Sequence, residues 1–318
     1  MKVLLIIVGI LIGLFLLLEV GLRLFWGFGN PPIYIADDKI GYLLAPNQKT
    51  KRFGNRISIN EYSMRSAAIT KECPPSTLRV FLLGDSIVNG GWWTDQDQTL
   101  SGLIATQLKT ITAKESDEKI PFKKIEVINA SANSWGPRNE LAYLQRFGTF
   151  NSQALVLVIN TDDLFGTAPT SVPVGRDRFY PSQKPPLAIV EAIARLSRYQ
   201  PPAEMAGVNA EKGDRVGFNL EAIGKIQEII KKTDTQFLLV MTPLLREVSD
   251  PGPRDYEIKA RDRLIKFTKE RQISYIDFLP IFKETETPET LYRDHIHLSP
   301  EGNKKVTEVI SQRLEVRG

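Results

Sequence analysis

Val3 to Leu18 form an apolar run with no polar or charged side chain. At about 1.5 Å per residue, a helix over this run falls just short of the roughly 30 Å hydrocarbon core of a bilayer. Extending it to Trp26 reaches the needed length and adds Glu19 and Arg23. These two stand four apart on one helix face, placed to pair or to snorkel toward the interface. Phe25, Trp26 and Phe28 fall where an interfacial aromatic belt sits. Residues 1–26 therefore read as a single transmembrane signal anchor. A cleaved signal peptide is the competing reading, but no small-x-small site follows the run and the first alanine is Ala36. Lys2 flanks one side and Arg23 and Lys39 the other, close to a tie by positive charge. Short N-terminal tails usually stay cytoplasmic, so the body is expected outside the cytoplasm.

Residues 27–78 read as a connector with short strands. Gly29-Asn30-Pro31-Pro32 breaks the anchor helix, Ile57 to Tyr62 alternates apolar and polar as a short strand does, and Pro74-Pro75 closes the segment. From residue 79 to 318 the pattern changes. Compact apolar runs at 79–84, 125–130, 154–160 and 237–242, with a weaker one at 273–278, have the length and β-branched content of buried strands. Helical periodicity lies between and after them, near 98–110, 138–147, 187–198, 219–232, 255–271 and 300–315. Ser299 as N-cap and Pro300 at the first helical position open the last of these. Strands alternating with helices predict an α/β domain, a parallel sheet with helices on both faces. Residues 163–218 interrupt the rhythm with seven prolines and one good helix. They read as an insertion over one end of the sheet, equally a lid or substrate-binding element or a purely structural excursion.

Composition narrows the classes. Hydrophobic residues make up 42% and charged residues 25% of the 318, a globular balance that excludes global disorder and fibrous folds. The 41 Lys and Arg against 37 Asp and Glu leave a net charge of +4 with no long basic block, so a nucleic-acid partner is not expected. Cys73 is the single cysteine, which excludes an intramolecular disulfide, and His295 and His297 are the only histidines, too few for a three-His metal site. No metal and no cofactor is expected, since no Gly-rich phosphate loop is present.

Two motifs carry candidate chemistry. The first strand of the α/β segment ends in Gly84-Asp85-Ser86, which puts a serine at the carboxyl end of a parallel strand, where open α/β sheets place their sites. A serine there also caps a following helix. Near the other end stands Asp294-His295-Ile296-His297, just before the capped last helix. On a tight loop, Asp294 accepts the Nδ1–H of His297 and leaves the other nitrogen free as a base toward a hydroxyl. A capping Asp beside a half-buried His, or a metal pair of His295 and His297, are the other readings. Trp92-Trp93 after Gly90-Gly91 follow the serine closely, as groove lining or as core anchors.

Together the motifs resemble the SGNH/GDSL hydrolase family, in which GDS opens the pattern and D-x-x-H closes it. The resemblance covers roughly residues 79–315. The anchor-proximal text (Leu18 to Arg23, Gly41-Tyr42, Pro46-Asn47, Asn60, Met64-Arg65) fits membrane-anchored members. The resemblance implies a flavodoxin-like three-layer αβα sandwich and ester or acyl chemistry without a metal. It implies Ser86 as nucleophile, His297 as general base and Asp294 as its orienting carboxylate, with the Ser86 N–H as one oxyanion donor. The family's second donor, a Gly, falls on Ser134, with Gly136 as alternative. Its third, an Asn, falls on Asp162. A carboxylate cannot donate, so Asp162 is expected to stay protonated, to be replaced by Asn160, or to leave a weak site. Asp162 and Asp163 also read as plain turn residues.

The leading expectation is a membrane-tethered serine esterase acting on acyl-ester groups of envelope glycans or lipids. An acyltransferase modifying an envelope polysaccharide with the same triad is the alternative, and a catalytically weak envelope binding or scaffold protein is the third.

Overall fold

Five parallel strands form the sheet that the apolar runs predict. In chain order, β1 Tyr34–Asp37, β2 Gly41–Leu44, β3 Gln48–Arg52 and β4 Asn55–Ile59 precede it, and β5 Thr77–Gly84, β6 Lys124–Ser131, β7 Ala154–Asn160, β8 Gln236–Thr242 and β9 Ser274–Asp277 build it. The spatial order is β6-β5-β7-β8-β9, all parallel, the doubly wound arrangement of a flavodoxin-like sheet. The computed structural model describes residues 1–114 and 122–314; the last residue of the predicted helix 300–315 lies outside them.

Every residue of β5 and β7 is buried. That is why these strands read as unbroken apolar runs: a central parallel strand meets a helical layer on each face. Side-chain alternation splits the core in two. Phe81, Leu83, Leu155, Leu157, Leu239 and Met241 point to one face, under helices Pro137–Phe147, Arg215–Ile230 and Asp255–Arg271. Val80, Leu82, Val156, Val158, Leu238 and Val240 point to the other, under helices Leu100–Lys114, Phe278–Lys283 and Pro300–Arg313.

The segment before the sheet is more than a connector. β1 with β2 and β3 with β4 are antiparallel hairpins, and Tyr34, Ile40, Tyr42, Leu43, Ile57 and Ile59 are buried in the same core as Phe81 and Leu83. The strand expected at 57–62 runs instead from Asn55 to Ile59. It ends where the Asn60 side chain takes over from the ladder, its Oδ1 accepting the N–H groups of Tyr62 and Met64 at 3.0 Å each.

The N-terminal helix runs from Lys2 to Gly21 and continues as a wider turn to Trp26. These 25 residues are long and apolar enough to cross a membrane. Arg23 pairs with Glu19 at 2.6 Å, as their spacing predicts. Glu19 is nevertheless buried, because its carboxylate also accepts the N–H groups of Ala188 and Ile189 at 2.8 and 3.0 Å. It thereby satisfies two orphan donors at the start of helix Ala188–Leu196 in the insertion.

Candidate active site

The turn after β5 brings Ser86 to the carboxyl edge of the sheet. Gly84 is required there by space: a Cβ would stand 2.5 Å from Val88 and 2.6 Å from the Val158 carbonyl. Asp85 then caps the short helix Ser86–Asn89, accepting the Ile87 N–H at 2.9 Å. Ser86 and His297, 211 residues apart, meet with Oγ and Nε2 at 2.9 Å. On the other side of the ring, Nδ1 lies 2.9 Å from Asp294 Oδ2 and 3.0 Å from Oδ1. Asp294 Oδ1 also accepts the N–H groups of Ile296 and His297, which closes the loop the three-residue spacing predicts. With Nδ1–H given to Asp294, Nε2 keeps its lone pair for the hydroxyl. Such a chain can take a proton from a serine as it attacks.

The carboxyl of Asp294 is disfavoured in its charged form by burial. The N–H groups of His297 and Ile296 and the imidazole outweigh this and hold it below its ordinary value. Asp85 goes the other way. Burial raises it, against the Ile87 N–H, His297, Ser86 and Asn160. Trp93 stacks edge-on to His297 with centroids 4.6 Å apart, and the Arg293 guanidinium lies over both Trp92 and Trp93. His295 is brought to the same rim, but its side chain is 84% exposed and 3.9 Å from Asp294. Among the described residues no cluster of His, Cys, Asp and Glu is arranged to hold a metal ion.

The predicted oxyanion candidates separate by their partners. Ser134 stands beside Ser86 in the cleft with φ of 58°. That is the left-handed region where glycine is at ease, consistent with the Gly that the resemblance puts at this place. Its hydroxyl accepts from Tyr180 at 2.9 Å. The backbone N–H groups of Ser134 and Ser86 have no acceptor among the described residues. Gly136 has extended backbone, and its N–H is bound to Asn139 Oδ1 at 3.1 Å at the start of its own helix. Asn160 is also committed elsewhere. Its amide donates to Asp85 and Asp163 at 2.9 Å each, and its Oδ1 accepts the Asp162 N–H at 2.7 Å. Asp162 lines the cleft with a carboxyl that has no hydrogen-bond partner among the described residues, raised by desolvation and by Glu247 against Arg246, His295 and Arg254.

Three contributors lie outside the two motifs, and the sequence patterns assign them no supporting role. Arg65, buried and drawn down to about 10 by desolvation, donates to the carbonyls of Asn89, Gly91 and Thr94 and so fixes the loop that carries Trp92 and Trp93. Tyr180 brings the insertion onto Ser134. Asp85, Asn160 and Asp163 form a buried knot under the serine. Met64-Arg65 was a signal available in the sequence; the knot joins residues 75 apart and had none.

Two cavities meet at Ser86 and His297. One, about 480 Å³, is lined by aromatic and apolar groups such as Tyr34, Trp92, Trp93 and Phe179 and reaches Arg52 and Arg195. The other, about 620 Å³, is more polar and includes Asn139, Asp162, Thr167, Asn209 and Arg215. The insertion thus walls both.

Among solved structures, the acetyl xylan esterase AlAXEase is 16% identical over 74% of this chain and 100% of its own, with a TM-score of 0.49. A putative lipolytic protein of the G-D-S-L family from Desulfitobacterium hafniense DCB-2 is 14% identical over 74% and 99%, with a TM-score of 0.43. A catalytic mutant of Axe2, an acetylxylan esterase from Geobacillus stearothermophilus, is 12% identical over 76% and 96%, with a TM-score of 0.46. No curated protein matches the chain in sequence. The sequence model of the GDSL-like lipase/acylhydrolase family matches residues 82–305, more than half of the chain and inclusive of Ser86, Asp294 and His297, and the chain belongs to that family of ester-cleaving serine hydrolases.

Proposed function

We propose that this chain is a membrane-tethered acyl-ester hydrolase with Ser86 as nucleophile, His297 as general base and Asp294 as the group that orients the base. The observation that carries the reading is the unbroken contact from Ser86 Oγ through His297 to Asp294, 2.9 Å at each step. Ser86 Oγ bonds to the ester carbonyl carbon while its proton moves to Nε2. The imidazolium, steadied by Asp294, then gives that proton to the departing alcohol as its C–O bond breaks. Water attacks the acyl-serine by the same route, and the Ser86 proton is restored from His297. The negative oxygen that forms in each half is met by the N–H groups of Ser86 and Ser134. The aromatic cavity suits the acyl side and the polar cavity the alcohol side, with acylated envelope glycans or lipids as substrates and residues 1–26 as an anchor that leaves the body extracytoplasmic.

The size and polarity of the second cavity favour one further reading, acyl transfer to a polysaccharide hydroxyl in place of water. The full chain in detergent, with and without Ser86→Ala, is treated with a fluorophosphonate and with a short p-nitrophenyl ester. Mass labelling and turnover are expected, both lost in Ser86→Ala. Labelling with turnover only when polysaccharide acceptor is added supports transfer. A folded chain that takes no label overturns the nucleophile assignment and returns the scaffold reading.

A further inference from the structure

Helix Ala188–Leu196 is built inside out. Its charged side faces the protein: Glu191 is buried and binds Arg52 at 2.6 and 3.1 Å, Arg195 at 2.9 Å and the Gly29 N–H at 2.7 Å. Its apolar side faces out. Val190 is 45%, Ile193 63% and Leu196 87% exposed, with Leu187 beside them at 36%. At 100° per residue, Leu187, Val190, Ile193 and Ala194 fall within one stripe about 120° wide, and Ala188, Glu191 and Arg195 cluster on the adjoining side. In water such a helix would be expected to turn the other face outward. Its neighbour removes the contradiction. Glu19, near the end of the N-terminal helix, caps it, and Arg23 donates to the Pro186 carbonyl at 3.2 Å, so the helix stands beside the turn that carries exposed Leu24 and Phe25. Exposed Lys184 and Arg198 flank the helix, and the Arg178 guanidinium closes its carboxyl end on the carbonyls of Ala194 and Ser197. Apolar stripe and flanking cations are the composition of a helix lying in a lipid headgroup layer.

We propose that helix Ala188–Leu196 is a second membrane contact, lying in the plane of the bilayer interface with Leu187, Val190 and Ile193 immersed. This rests on the reading of residues 1–26 as a span. Arg195, on the inner side of the helix, lines the aromatic cavity that begins at Ser86. The cavity therefore ends beneath an element seated in lipid, and the substrate class it fits is an acyl ester whose lipid part stays in the membrane.

The test uses the full chain with Cys73→Ser, reconstituted in vesicles of phosphatidylethanolamine and phosphatidylglycerol. Nitroxides are attached to single cysteines at Leu11, Val190, Ile193 and Lys304, the last on the helix that covers the far face of the sheet. Accessibility to oxygen and to a water-soluble nickel chelate is read by electron paramagnetic resonance. Val190 and Ile193 are exposed, so their replacement leaves packing intact. The expected result is oxygen-rich, chelate-poor signals at Leu11, Val190 and Ile193, shallower at the latter two, and free chelate access at Lys304. Chelate access at Val190 and Ile193 equal to Lys304, with Leu11 immersed, overturns the proposal and leaves the span standing. Shielding of Val190 and Ile193 from both reagents means a protein partner, and also overturns it. Chelate access at Leu11 with Val190 and Ile193 immersed overturns the span alone, and access at all four sites removes both.

Discussion

At the scale of single residues, the proposed mechanism turns on what Asp162, in the same cleft as Ser86, does when a negative oxygen forms. Its raised carboxyl is neutral below the shifted value and has a proton to donate; above it, a carboxylate faces the growing charge. Hydrolysis is therefore expected to fall as pH rises through that value. Asp162→Asn supplies a donor that does not titrate. It should hold the rate on the alkaline side and raise kcat by up to about 10²-fold, the worth of one oxyanion donor. Initial rates against pH for the two proteins check this, and loss of activity in Asp162→Asn would show the carboxylate itself to be needed. Asp294 acts on stability in the opposite sense. Its folded value lies below the ordinary one, so its contribution is present above the ordinary carboxylate range and lost as pH falls through the lowered value.

At the scale of elements, helix Pro137–Phe147 carries a penalty in its middle. Glu140 is fully buried with neither oxygen hydrogen-bonded among the described residues, and burial, with Asp85 adding, pushes its carboxyl well above the ordinary range. A raised acid is neutral when folded and charged when unfolded, so it costs stability increasingly as pH rises above the ordinary value. Glu140→Gln should leave the melting temperature near pH 4 almost unchanged and raise it by a few degrees at pH 8, as read by calorimetry. The elements also differ in how much of them the sequence discloses. β5, β7 and β8 are legible because burial on both faces demands continuous apolar side chains. β3 is not: Gln48–Arg52 is polar throughout, and its buried Arg52 is stabilised by Glu191 from 139 residues away. The same divide runs through the site. Asp294 and His297 sit on one loop and announce themselves by spacing. The fitness of Ser134 as a donor is a matter of its φ, and the engagement of Asn160 depends on two carboxylates, which no local pattern records.

At the scale of the whole molecule, the family match begins at residue 82, but the folding unit begins earlier. Tyr42 donates to the Asn133 carbonyl at 2.6 Å, Trp135 donates to the Tyr42 carbonyl at 3.1 Å, and Met64 is wholly buried in the core under the sheet. Residues 79–318 alone would expose that core face. They are expected to keep far-ultraviolet circular dichroism, lose the near-ultraviolet signal and bind a hydrophobic dye, whereas residues 27–318 should show native packing. A native near-ultraviolet spectrum from residues 79–318 would show the hairpins to be an appendage. The junction at the other end of this segment sets a distance. Glu19 holds the starting N–H groups of helix Ala188–Leu196, and the chain passes from Trp26 to β1 within eight residues, with Arg52 closing on the Gly27 carbonyl. No slack lies between helix and body. On the proposed reading of residues 1–26 as a span, the elevation of Ser86 above the lipid becomes a constant of the fold, and the enzyme would work like a stylus at fixed height, selecting esters by how far from the membrane they stand before selecting them by chemistry.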